Sequence, residues 1–247
     1  DAAVFTVDCT FSHRRRDDPI VHPHQPGLSH PHDFFGNVTT DADSTVHSLA
    51  GKDTSCVDPT DTAAYWAPTL YRGATAIRPR MLRAYYRAAV GADVTQVRLL
   101  PAGLQLLAGN ALAAPGQWSP TSQAGWGCGL RPRRWRHVPP SDCVAAAPLT
   151  LRLVFPDCWD GHHVLSADHR SHVAYSVDGR CPSSHPVPIL QVQMSISYPV
   201  VGSVARLALA SGGWQTTHGD FLNAWNQSRL RHHTDLCIRA MANCTIA

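Results

Sequence analysis

The sequence predicts a mainly β protein, a β-sandwich or jelly-roll that forms a single domain over residues 1–247 and carries a short helical C-terminal segment. Many short segments alternate apolar and polar residues and are separated by Pro/Gly turns, which is typical of such folds. A hydrophobic fraction of 44% with only 16% charged residues indicates a globular core. Eight cysteines at scattered spacings indicate that disulfides stabilise the domain.

The clearest strand patterns lie at residues 150–155 and 189–198, where apolar side chains recur at every second position. Residues 81–90 carry aromatic and apolar side chains that fit either a strand or a helix. Further strands are predicted at residues 97–107 (two strands about a Pro/Gly turn), 171–177 and 205–210.

Helical patterns are confined to the C-terminal part of the chain. Residues 219–231 place Phe221, Trp225 and Leu230 on one apolar stripe, and Asp220 is positioned to cap the first turn. Residues 234–242 predict a second short helix.

The even number of cysteines favours four disulfides, and pairing of nearest neighbours is the simplest arrangement, with free buried thiols as the alternative. Because no C-x-x-C pair occurs, zinc ribbons and thioredoxin-like motifs are unsupported. Disulfides also predict an oxidising compartment, and thus a secreted, extracellular protein. The predicted pairs are Cys9–Cys56, Cys128–Cys143, Cys158–Cys181 and Cys237–Cys244.

Several classes of partner are disfavoured by composition. The net charge of +3 is too small to indicate nucleic-acid binding, and no apolar run is long enough to cross a membrane. Neither a nucleotide-binding glycine motif nor a G-x-S-x-G elbow is present. We therefore expect a monomer with neither a membrane nor a nucleic-acid partner.

Residues 18–37 are the most informative stretch, because they contain four histidines and four prolines. Histidine titrates near neutral pH, so a dense group of imidazoles indicates proton transfer or metal binding. In the His30-Pro31-His32 step, an extended backbone would point both rings to the same face. A His-rich surface loop is the alternative interpretation.

Catalytic candidates come from short motifs in which histidines and aspartates lie together. The chain contains no Glu, so any carboxylate used for acid–base chemistry is an Asp. Glycoside hydrolysis needs two carboxyl groups across the scissile bond, whereas elimination from a uronic acid needs a base, an acid and a group that neutralises the carboxylate. The candidates are His30, His32, Asp33, Asp160, His172, His218 and Asp220.

Sugar rings stack on exposed aromatic faces, although buried aromatics in a core are the more common case. Three of the catalytic candidates likewise have a simpler structural alternative. It is a turn for Asp160, a helix cap for Asp220 and a core position for His172. The substrate-binding candidates are Asn37, Tyr65, Trp66, Tyr71 and Trp159.

Taken together, several motifs resemble one family over about residues 18–237. They are DPIVHPHQPGLSHPHDFFGN, YWAPTLY, FPDCWDG, DHRSHVAY, CPSSHPVP and HGDFLNAW. This combination is similar to the secreted domain of unknown function that carries the number nineteen-ninety-six, found in fungi and actinobacteria. The resemblance implies an extracellular protein, and the carbohydrate-binding modules often joined to that domain imply work on polysaccharides.

The function expected from the sequence is an extracellular carbohydrate-active enzyme that cleaves a polysaccharide by His/Asp acid–base chemistry, as a lyase or a glycoside hydrolase. No cofactor is expected. A non-catalytic glycan-binding module and a metal-dependent protein with a histidine site are the alternatives. The His32→Ala substitution is predicted to abolish cleavage without unfolding the chain.

Overall fold

The computed structural model describes residues 3–246 and is mainly β, as predicted. Its two largest sheets contain six and five strands and pack through a shared hydrophobic core. In the six-stranded sheet all neighbours are antiparallel except the edge pair formed by the first and last strands of the chain. In spatial order this sheet contains β17 (Asn243–Ile246), β1 (Val4–Cys9), β7 (Met81–Arg87), β14 (Gln191–Ser197), β10 (Leu149–Val154) and β9 (Ala124–Cys128).

The five-stranded sheet is antiparallel throughout and positions the candidate site. Its central strands are buried along their whole length, because both faces of the sheet are covered. In spatial order it contains β2 (Phe11–Arg15), β3 (His32–Gly36), β4 (Ala64–Pro68), β16 (His218–Leu222) and β8 (Gln105–Gly109).

Alternation along the strands separates the two faces of the five-stranded sheet. Phe35, Tyr65 and Phe221 join the main core between the large sheets, whereas Phe34 and Trp66 belong to a second apolar cluster on the other face. We call these the inner and the outer face.

Gly219 allows β16 to approach the six-stranded sheet closely. A Cβ at this position would lie 2.3 Å from Cδ1 of Leu153 and 2.9 Å from Cε of Met194. A side chain here would displace these two core side chains and crowd the backbone oxygen of Trp66, 3.1 Å from the same Cβ position, which is the physical reason for a glycine between two outward-facing residues.

Two three-stranded sheets and a few short helices complete the described part of the chain. Within residues 3–246, no helix is both long and apolar enough to cross a membrane. The small sheets are β12 (Val173–Ala174), β11 (Cys158–Trp159) and β13 (Val187–Pro188), and β15 (Leu207–Leu209), β5 (Leu70–Arg72) and β6 (Thr75–Ala76). The helices are α1 (Val46–Leu49), α2 (Gln227–His233), a 3₁₀ turn (Trp214–Thr216) and a π-helical segment (Thr234–Arg239).

The strand predictions at residues 150–155 and 189–198 are confirmed as β10 and β14, and of residues 81–90 the first seven form strand β7 (Met81–Arg87). In residues 97–107 only the second predicted strand forms, as β8. The segments at residues 171–177 and 205–210 shorten to β12 and β15.

The helix predicted over residues 219–231 is wrong in its first half. His218–Leu222 is strand β16, which pairs with β4 on one side and β8 on the other. These inter-strand hydrogen bonds override the local helical pattern, so Asp220 lies in mid-strand and caps nothing. The helix begins later, and Asn226 caps it by accepting from the amides of Ser228 and Arg229.

All eight cysteines form disulfides in the predicted pairs. The Cys9–Cys56 bond joins β1 of the larger sheet to a segment that follows α1, and Thr54 in that segment pairs with Asn37 beyond β3. It therefore ties the two large sheets together near one edge.

Candidate functional site

Two strands place histidines side by side on the outer face of the five-stranded sheet. In β3 the outward positions are His32 and Phe34, and in β16 they are His218, Asp220 and Leu222. Strand β4 lies between them, with Trp66 opposite Asp220 in the pairing register. His30 precedes β3 and completes the group.

The three imidazoles are in mutual contact. The ring centroid of His30 lies 4.3 Å from that of His32 and 5.1 Å from that of His218. The rings of His32 and His218 are 5.7 Å apart. We call His30, His32 and His218 the histidine triad.

Hydrogen bonds to backbone carbonyls orient two of these rings. Nδ1 of His32 lies 3.0 Å from the carbonyl oxygen of Asp17, and Nδ1 of His218 lies 2.7 Å from that of Thr216. A carbonyl only accepts, so each Nδ1 carries the proton and donates. In the neutral ring this tautomer leaves Nε2 with a free lone pair.

Burial keeps the triad unprotonated at neutral pH. It lowers the pKa of His30 to about 4, with a smaller effect from His22. Burial also lowers the pKa of His218 to about 3, with His30 adding to the shift. The fully buried His32 is shifted well below its ordinary pKa by burial and by its two neighbours. The triad therefore presents neutral, lone-pair-bearing nitrogens.

Two aspartates stand beside the triad. Burial raises the pKa of Asp220 well above its ordinary value, and the nearby Asp18 raises it further. Burial raises the pKa of Asp18 as well, against hydrogen bonds from the amides of Val21 and Ile20. Oδ2 of Asp220 is 4.0 Å from Nε2 of His218 and has no hydrogen-bond partner among the described residues.

The cluster opens into a cleft of about 380 Å³. His30, His218 and Asp220 line it together with Asp18 and His22. The segment that connects β11 to β12 contributes His169 and Arg170. The guanidinium of Arg170 is held by a 2.9 Å hydrogen bond to the carbonyl of Gly109, so a fixed cation lies in the same cleft as the neutral imidazoles.

Two overlapping sets of side chains could hold a cation here. One potential ligand atom from each of His30, His32 and His218 lies within 4.8 Å of the others, and the same is true of Asp18, His32 and Asp220. Chemically, the arrangement can hold a metal ion or transfer protons, because it combines free imidazole nitrogens with carboxyl groups.

Four predicted catalytic residues thus come together: His30, His218 and Asp220 line the cleft, and the fully buried His32 contacts the rings of His30 and His218. Asp33 does not join them, because the adjacent position on β3 faces the other way. Its carboxylate accepts from Arg14 at 2.6 Å and from Thr69 at 2.9 Å. Asp33 therefore lies in a buried polar contact of the sheet.

His172 and Asp160 also lie outside the cluster. Nε2 of His172 is 2.8 Å from the carbonyl of Gln105, which fastens the β11–β12 connection to β8. Asp160 closes a turn: burial acts to raise its pKa, but hydrogen bonds from the His163 amide and ring and the His162 amide lower it to about 2. The simpler turn interpretation of Asp160 fits these contacts.

The aromatic candidates provide core packing more than an open sugar platform. Tyr65 and Trp66 are fully buried, Tyr65 in the main core and Trp66 against Phe34 beneath the cluster. Tyr71 and Trp159 are half-buried and do not line the cleft. The buried amide of Asn37 donates to the carbonyls of Leu49 and Thr62, so it braces α1.

Sequence reasoning missed Asp18, His22, His169 and Arg170 as cleft residues. The first two lie in the histidine-rich stretch itself, and the other two lie in the DHRSHVAY motif. Both motifs are visible in the sequence, but only the three-dimensional arrangement shows that their non-adjacent members converge.

Residues 18–225 match the sequence profile of the domain of unknown function DUF1996, and the chain belongs to this family. The matched region contains every residue of the cluster described above. No curated protein and no solved structure matches the chain significantly.

Proposed function

We propose that this protein is an extracellular carbohydrate-active enzyme that cleaves glycosidic bonds of a polysaccharide in the cleft above the histidine triad. One observation carries the proposal: neutral imidazoles, a buried carboxyl group and the guanidinium of Arg170 line the same cleft. Perturbed titratable groups that converge in a cleft are typical of catalytic sites. The four disulfides favour secretion.

Elimination from a uronic-acid polysaccharide fits this set of groups best. A neutral imidazole removes the proton from the carbon beside the carboxyl group. The electron pair of the broken carbon–hydrogen bond then forms the new carbon–carbon double bond. The glycosidic carbon–oxygen bond breaks, and the leaving oxygen takes a proton from Asp220, because burial raises the pKa of this carboxyl group and so favours its protonated form. Arg170 neutralises the substrate carboxylate.

Hydrolysis is the second candidate, and the pair formed by Asp18 and Asp220 favours it. An oxygen of each lies within 4.8 Å of the other, and glycoside hydrolysis uses two carboxyl groups. The two reactions differ in their products, because only elimination leaves an unsaturated uronate.

The test is a screen of soluble polysaccharides, both uronate-containing and neutral, in which new reducing ends and ultraviolet absorbance are followed together. Reducing ends with absorbance identify a lyase, and reducing ends alone identify a hydrolase. Binding without either product would instead identify a glycan-binding module and refute the proposal.

Two variants sharpen this test. His30→Ala removes a half-buried ring of the triad and is expected to abolish cleavage without unfolding the chain. His163→Ala is the matched control, because this exposed ring pairs with Asp160 away from the cleft. Equal activity in both variants would exclude the triad from the reaction.

A further inference from the structure

We propose that His30, His32 and His218 bind one divalent transition-metal ion, of which zinc(II) fits best, at the base of the cleft. Three imidazoles with one open position are a donor set that zinc uses in catalytic sites. The site rests on the geometry of the triad and is independent of which substrate occupies the cleft.

The spacing of the three rings suits a single ion. Their potential ligand nitrogens lie within 4.8 Å of one another, and two nitrogens bound to one tetrahedral zinc ion stand about 3.4 Å apart. A reduction of each nitrogen–nitrogen separation by at most about 1.4 Å closes the set. His30 is half-buried and lies before β3, so its ring has room for this movement.

Hydrogen bonds to the backbone orient two rings of the triad for metal binding. The carbonyls of Asp17 and Thr216 fix the Nδ1 protons of His32 and His218, so Nε2 of each ring is the free donor atom. Metal-binding histidines almost always donate their second N–H to such an acceptor.

Buried nitrogens without hydrogen-bond partners also support an ion-binding role for the triad. Nε2 of His32 and Nε2 of His30 are buried and have no hydrogen-bond partner within the described chain. Buried polar atoms are nearly always satisfied, so two in contacting rings require an explanation. A cation satisfies several converging lone pairs at once.

The carboxyl groups next to the triad complete the environment of a cation. Asp220 Oδ2 lies 4.0 Å from Nε2 of His218 and is likewise buried with no hydrogen-bond partner among residues 3–246. Asp18 and Asp220 form the second potential ligand set together with His32, which also belongs to the triad. Both carboxyl groups lie beside the position of the ion, and the cleft leaves a coordination position open to water or substrate.

A metal ion at the triad would be a cofactor of the proposed enzyme. An ion held by the triad would assist Arg170 in neutralising a substrate carboxylate. The proton-accepting role would then pass to His22 or His169, the remaining imidazoles of the cleft. Metal binding itself is measured without any glycan, so the two proposals can fail separately.

The experiment is calorimetric titration of chelator-treated protein with zinc(II), supported by elemental analysis and by the visible spectrum of the cobalt(II) form. We expect one equivalent of metal, with cobalt(II) bands characteristic of nitrogen ligands. His30→Ala, His32→Ala and His218→Ala are each expected to weaken binding by at least about 100-fold, since losing even an outer partner of a metal ligand costs 10–100-fold. His163→Ala is expected to bind as the wild type does.

Near-ultraviolet circular dichroism verifies that each variant is folded. The cobalt spectrum of the wild type tests the metal site even if a variant does not fold. Absence of stoichiometric binding to the wild type overturns the inference, as does binding that survives in all three folded triad variants. Glycan cleavage by metal-free protein that binds no metal would overturn the metal site and leave the enzyme proposal standing. Stoichiometric metal binding without glycan cleavage would overturn the enzyme proposal and leave the metal site standing.

Discussion

Substitutions at two neighbouring residues of β16 should affect activity and stability separately. Phe221 faces the main core, where its ring centroid lies 5.1 Å from that of Tyr65 and 6.1 Å from that of Phe155. Asp220 faces the cleft, and its Oδ2 has no hydrogen-bond partner among residues 3–246. We predict opposite phenotypes for Phe221→Ala and Asp220→Asn.

The magnitudes follow from these surroundings. Truncation of a fully buried phenylalanine costs about 3–5 kcal/mol. For a chain of this length that corresponds to a fall in Tm of about 6–20 °C, at roughly 2–4 °C per kcal/mol. Asp220→Asn preserves the shape of a side chain that makes few bonds, so its cost is about 1 kcal/mol. Loss of a general acid, by contrast, slows a reaction by about 10²–10⁴-fold.

The assay combines thermal unfolding, followed by tryptophan fluorescence, with cleavage of whichever polysaccharide the wild type degrades. Cleavage is measured well below both melting temperatures and expressed per folded molecule. Phe221→Ala should melt early and retain most of its activity, and Asp220→Asn should melt near the wild type and be inactive. An Asp220→Asn variant with full activity, or one that melts as early as Phe221→Ala, would refute the assignment of the two faces.

Removal of Cys9–Cys56 by double alanine substitution should destabilise the fold more than removal of Cys237–Cys244. The closed loops span 47 and 7 residues, which predicts losses of about 4 and about 2.4 kcal/mol by chain entropy; equal losses in urea unfolding would contradict this. Asp160→Asn should lower Tm at pH 7. The difference in Tm between this variant and the wild type should shrink as the pH falls from 4 to 2. The folded-state pKa of about 2 lies below the ordinary 3.8, so the stabilisation is present above pH 4 and lost through pH 2; a pH-independent difference would argue against an ionised Asp160.

The sequence predicts the fold class because short alternating segments and turns are local signals. It also predicts the disulfides, since nearest-neighbour pairing coincides with the contacts of the folded chain. The segment His218–Leu222 shows where local signals fail. Its residues fit a helix stripe, but partners distant in the chain pair with both of its edges and make it a central strand.

The candidate site shows the same division. The H-x-H step predicts that His30 and His32 lie together, and they do. Asp33 is adjacent in sequence, but alternation of strand side chains sends it to the inner face, where it contacts Arg14. Arg170 reaches the cleft only because the β11–β12 connection folds over β8, and no local pattern encodes that contact.

We propose that a glycan reacts on the outer face of the five-stranded sheet, between the histidine triad and Arg170. The decisive measurement is a crystal structure of the Asp220→Asn variant with an uncleaved oligosaccharide of the substrate. We expect a sugar ring in contact with His30 and His218, with its carboxylate on Arg170. An oligosaccharide bound elsewhere, with the cleft empty, would contradict it.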